Sequence, residues 1–168
     1  MKPAHEKEFR DFTAAQTPAL LRVAYLLTGD VHLAQDLVQS ALAACVKKWH
    51  RIDEPYAYVR KAMYRSQYNA WRSRARKPES IVDAPPERAD RDHADGVAAR
   101  HDLRAALARL PYRQRLIVVL RHYEDRSEAE IARMLGISPS GVRSQASRGI
   151  AALRRIHQPN ATGTEVLR

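Results

Sequence analysis

The sequence holds a single cysteine, Cys45, so no internal disulfide can form. Cys45 lies among apolar residues at helical spacing, and a small buried filler suits it better than a reactive thiol. No apolar run approaches the roughly 20 residues that a membrane-spanning helix requires. The first residues, MKPAHEKEF, contain no apolar signal core. A cytosolic protein is therefore expected. The 7 histidines are scattered, without the spacing of metal ligands. No nucleophile stands with a partner base. No metal, no cofactor and no enzymatic activity are expected. There is no convincing strand, no internal repeat and no low-complexity tract.

Acidic residues are also few. The chain has 19 Asp+Glu against 29 Lys+Arg, a formal net charge of +10 over 168 residues. That balance favours a polyanionic partner, with nucleic acid first. The distribution is more telling than the sum. Residues 1–77 carry net +7, residues 78–101 net −3, and residues 102–155 net +6. Two basic modules flanking an acidic connector would suit one extended polyanion. A hydrophobic fraction of 45% is enough for small packed cores.

The chain reads as all-α. Phe9, Phe12, Leu20, Val23, Ala24 and Leu27 repeat at helical spacing, with a bend expected near Pro18. Thr28-Gly29-Asp30 is a stop followed by an N-cap. A second helix is expected from Val31 to about Trp49, with Leu33, Leu37, Ala41, Ala44 and Cys45 inward. A third opens at Asp53-Glu54-Pro55 and reaches about Arg76, since proline and acids suit a first turn. Residues 78–101 are rich in proline and acid and read as a flexible linker. Helices follow at about 98–109, up to Tyr123, at 127–135 and at 139–155. The domains expected are 1–77 and 102–156, with a disordered tail over 157–168.

The C-terminal segment carries the sharpest pattern. Ser127-Glu128-Ala129-Glu130 is a capping box. Gly136 ends that helix, Ser138 caps the next and Pro139 fills its first position. Ala132, Gly136 and Val142 fall where a helix-turn-helix needs a small residue, a turn and an interlocking apolar one. The outer face of the second helix shows Ser140, Arg143, Ser144, Ser147 and Arg148. Short donors and forked cations, with no acid among them, suit a major groove and its phosphates. Arg143 and Ser144 are expected at base edges, Arg148 and Arg115 on phosphates.

In the third helix, Lys61, Arg65, Arg72, Arg74, Arg76 and Lys77 alternate with Tyr56, Tyr58, Tyr64, Tyr68 and Trp71. Cations grip phosphates and aromatic faces stack on unpaired bases. Tyr64, Tyr68 and Trp71 also have core spacing, so both roles stand open. The face with Asp36, Gln39, Ala43 and Lys47 is either solvated or a docking site for a protein.

Taken together, these segments resemble an extracytoplasmic-function (ECF) sigma factor of the SigE-like group. Asp36-Leu37-Val38-Gln39 and Ser40-Ala41-Leu42 are similar to the region 2 segment that docks on the clamp helices of the polymerase β′ subunit. Leu110-Pro111 to Arg115, followed by Ser127 to Ala132, Leu135-Gly136 and Val142-Arg143-Ser144 to Leu153-Arg154, resembles region 4, which reads the −35 promoter element. The resemblance implies polymerase docking by Asp36, Leu37, Gln39 and Ser40. It implies capture of melted −10 DNA by Lys61, Arg65, Tyr68, Trp71 and Arg72, with His50, Arg51 and Asp53 near a flipped-base pocket. The chain departs from the family at Arg65, where Asn is common. Implied partners are core RNA polymerase (β′ clamp helices and β flap) and promoter DNA, with an anti-sigma factor as a further candidate and a monomer when free. The rival reading is a stand-alone helix-turn-helix regulator, which accounts for 102–155 but not for the first basic block.

Overall fold

The structure, a computed structural model, describes residues 3–76 and 98–157. Among the described residues the chain forms seven α-helices and no strand. Helix α1 spans Pro3–Thr28, α2 Val31–Val46 and α3 Pro55–Ala75. Helix α4 spans Ala98–Ala108, α5 Tyr112–Val118, α6 Glu128–Leu135 and α7 Pro139–His157. The expected connector lies outside the described residues as far as residue 97, and its last four positions belong to α4. All of the expected tail but His157 lies outside them too.

The first three helices pack on one another. Helix α1 continues through Pro18, and the Thr17 hydroxyl donates to the Thr13 carbonyl at 2.6 Å. Gly29 turns the chain at φ +72. Asp30 then caps α2, accepting from the Leu33 amide at 2.8 Å. The inward stripe of α2 is Ala34, Leu37, Val38, Ala41, Leu42 and Cys45. Leu33 and Ala44, expected inside, are exposed. The stripe is rotated toward Val38 and Leu42, which fill the space against α1 and α3. Cys45 is fully buried, and burial pushes its thiol up to about 11. A 3₁₀ turn, Trp49–Arg51, links α2 to α3, with Phe9 and Phe12 packed on the Trp49 ring.

The second group is built on α5, α6 and α7. Helix α5 runs straight into a π-helical turn over Val119–Tyr123, closed by the Glu124 amide on the Val119 carbonyl. The two groups also touch: α3 lies against α5 and α6, and α1 against α4 and α5. Their buried residues join in one continuous apolar cluster, from Leu20 and Met63 to Leu116 and Val142.

Candidate nucleic-acid interface

The α6–turn–α7 unit is fixed by its own caps. Ser127 Oγ accepts from the Glu130 amide at 3.2 Å, and Glu130 Oε2 accepts from the Ser127 amide at 2.8 Å. Gly136 takes the left-handed conformation, φ +69. Nothing crowds a Cβ there, so the backbone angle alone requires glycine. Ser138 Oγ accepts from the Gly141 amide at 3.1 Å and starts α7. Ile131, Ala132, Leu135 and Val142 are buried between the two helices. This is the helix-turn-helix geometry that the residue pattern predicts.

Ser140, Arg143, Ser144, Ser147 and Arg148 all lie exposed on α7. Arg143 is not free in solution: its Nε donates to Glu128 at 3.3 and 3.1 Å, and its Nη2 at 2.8 Å. Those bonds hold the Glu128 carboxyl below its ordinary range and the Arg143 guanidinium above its own. The pair borders a cleft of about 340 Å³, lined also by Arg121, His122, Ser147 and Arg154. Three arginines therefore converge where the sequence identified one. Arg154 follows Arg143 by eleven residues, close to three helical turns, so its place on this face is legible from spacing. Arg121 and His122 sit in the π turn, for which the sequence carries no signal.

Arg115 requires a correction. It is 4% exposed and cannot meet a phosphate. Its Nη2 donates to the carbonyls of Ala108 and Leu110 at 2.8 and 3.3 Å, and its Nη1 to that of Leu27 at 3.1 Å. It satisfies the open end of α4 and reaches across to the end of α1.

In the first group, Asp36, Gln39 and Ser40 are exposed on α2. Leu37 is 5% exposed and belongs to the core, so it cannot form a docking contact. On α3, Lys61, Arg65 and Arg72 are exposed and Trp71 is half-buried. Tyr68 is 6% exposed and packed in the core, which corrects its expected stacking role. His50, Arg51 and Asp53 are exposed together in the turn before α3, with Arg51 Nε donating to His50 Nε2 at 3.1 Å.

Part of the α3 face is turned toward the second group. Arg65 Nε donates to the Met134 carbonyl at 3.3 Å. Arg113 lies over the Trp71 ring, 5.4 Å from its centre. Arg60 forms an ion pair with Glu124, whose side chain is almost wholly buried.

The two groups match two segments of one family. Residues 14–77 match the family described as "Sigma-70 region 2", and residues 100–153 match "Sigma-70, region 4". The chain belongs to the ECF sigma factors, in their SigE-like group. It is 37% identical to the RNA polymerase sigma-E factor of Streptomyces coelicolor, over 88% of this chain and 84% of that one. It is 25% identical to the ECF RNA polymerase sigma factor SigW of Bacillus subtilis, over 92% of this chain and 91% of that protein. The fold is also that of the sigma factor RpoE of Bartonella quintana, solved in complex with the anti-sigma factor NepR. That likeness has a TM-score of 0.61 at 22% identity, over 92% of this chain and 99% of that one. This sigma factor directs transcription initiation with core RNA polymerase at promoter DNA; two sigma segments in one chain disfavour a stand-alone regulator. No helix among the described residues is long and apolar enough to cross a membrane.

Proposed function

We propose that the two groups divide the work of promoter recognition within this initiation factor. The observation that carries the proposal is the exposed donor face of α7 on a capped helix-turn-helix, with Ser140, Arg143, Ser144, Ser147 and Arg148 outward. That face enters the major groove at the −35 element. Lys61, Arg65, Trp71 and Arg72 of α3 hold melted −10 DNA, the cations on phosphates and the indole on a base. Asp36, Gln39 and Ser40 dock on the polymerase β′ clamp helices, and region 4 on the β flap. The chain supplies recognition in the cytoplasm and is not an enzyme; the polymerase performs the chemistry. Because Arg65 and Trp71 face the second group here, the two groups must part when polymerase and DNA are engaged.

Reconstitution with core polymerase tests the proposal. The wild-type chain should create transcription starts that share two spaced upstream elements. Asp36→Lys reverses the only acid of the exposed α2 face at its centre, and should lower co-purification with core polymerase by at least about tenfold, the effect of like-charge contact at an interface. Undiminished co-purification would show that this face is merely solvated.

A further inference from the structure

Glu128 is an unexpected residue on a surface meant for DNA. An acid beside phosphates is repelled, and exposed ion pairs add little to stability. Yet Glu128 occupies the first turn of α6, fixed by the Ser127–Glu130 capping box, and engages Arg143 across the turn with three short contacts. Those contacts use one edge of the guanidinium, Nε and Nη2. A guanidinium has five N–H donors in a fixed plane. The end fork, one hydrogen on each Nη, stays unused and is aimed by the carboxylate. A guanine in the major groove offers O6 and N7, two acceptors that match such a fork.

We propose that Glu128 is a positioning residue that holds Arg143 end-on to a guanine of the −35 element, making the pair a specificity determinant. The inference rests on the assignment of α7 as the −35 reader. Without Glu128, Arg143 is a long side chain with free rotamers that meets whichever phosphate is near. With it, the rotamer is chosen before binding, so the fork loses little entropy on contact. Arg121 and Arg154 line the same cleft and supply the phosphate attraction that offsets the nearby acid.

Holoenzyme made from the full chain and core polymerase, competed over promoters randomised through the −35 element, reads both affinity and base preference. Arg143→Ala should abolish preference for guanine at one position, a loss on the order of tenfold. Glu128→Ala should lose preference at that same position by a similar factor, while binding to mismatched sequences is unchanged or tighter. The double variant should lose no more than Arg143→Ala alone, because the two side chains act as one unit. Glu128→Gln, which keeps shape and one acceptor, should fall between, and it guards against a folding defect in the alanine variant. The positioning role is overturned if Glu128→Ala tightens binding to all sequences alike with the guanine preference intact. If Arg143→Ala itself leaves every base preference unchanged, the failure lies in assigning Arg143 to base readout.

Discussion

Arg115 brings a permanent charge into the interior, where only good geometry can compensate for lost hydration. The compensation is three carbonyls in reach of one planar fork: Ala108 at the end of α4, Leu110 in the turn after it, and Leu27 near the end of α1. Burial pulls its guanidinium below the ordinary arginine range, but an arginine stays protonated at any physiological pH. Arg115→Ala should therefore remove about 2–4 kcal/mol of unfolding free energy, seen as a lower denaturant midpoint at unchanged slope. Arg115→Lys should recover only part of it, since an ammonium lacks the fork. Folded Arg115→Ala should keep the salt dependence of promoter binding; a slope reduced by about one would restore the phosphate contact predicted from sequence. That prediction failed because a count of cations says nothing about which are buried. Arg115 lies one position before Leu116 in a chain segment whose whole far half is buried, and only the fold reveals that its carbonyl partners are 5, 7 and 88 residues away. Leu37 and Tyr68 failed for the opposite reason. Both carried core spacing, and the family role assigned to their neighbours outweighed it.

At the level of elements, the crossing of α7 over α5 depends on Gly149. A Cβ there would stand 2.6 Å from Val118 Cγ2. Val118 is β-branched and stiff, and it is buried, so it cannot swing aside. A glycine inside an exposed helix would gain roughly 1 kcal/mol on replacement by alanine. Here the sign should reverse: Gly149→Ala should lower stability by about 1–3 kcal/mol through overpacking, measured as a fall in melting temperature. A rise in melting temperature would show that the two helices have room to separate. Most other element-level features were readable in the residues. Asp30, the Ser127–Glu130 box, Gly136 and Ser138 each mark a helix end by local chemistry, and the structure forms the bonds they predict. What could not be read depends on partners. The rotation of the α2 stripe goes with its packing on α1 and α3, and the π turn at Val119–Tyr123 continues α5 and packs on α6. That turn carries Arg121 and His122 into the cleft beside Arg143, which is why the sequence left both out of the interface.

For the whole molecule, the charge blocks show two basic modules, but they do not show that the modules pack together. Arg60 and Glu124 lie in different halves of the chain and form an ion pair, with side-chain exposures of 18% and 3%. Around it, Arg65 bonds the Met134 carbonyl and Arg113 covers Trp71, so residues proposed for the −10 element are engaged by the region 4 module. Removing one member of a largely buried pair costs about 3–5 kcal/mol, because the other charge is left uncompensated. Arg60→Glu is more severe, placing two carboxylates together. It should shift the free protein toward states with the modules apart, while each module keeps its helix content. Energy transfer between dyes on exposed positions of α2 and α7 reads the separation, and circular dichroism reads the helices. Glu124→Arg combined with Arg60→Glu restores an opposite-charge pair and should restore the short distance. If closure competes with promoter capture, Arg60→Glu should also join core polymerase faster, with the double variant returning to the wild-type rate. Unchanged distances in Arg60→Glu would show that the apolar cluster from Leu20 to Val142 holds the modules together without the ion pair, and that polymerase must work against buried surface to part them.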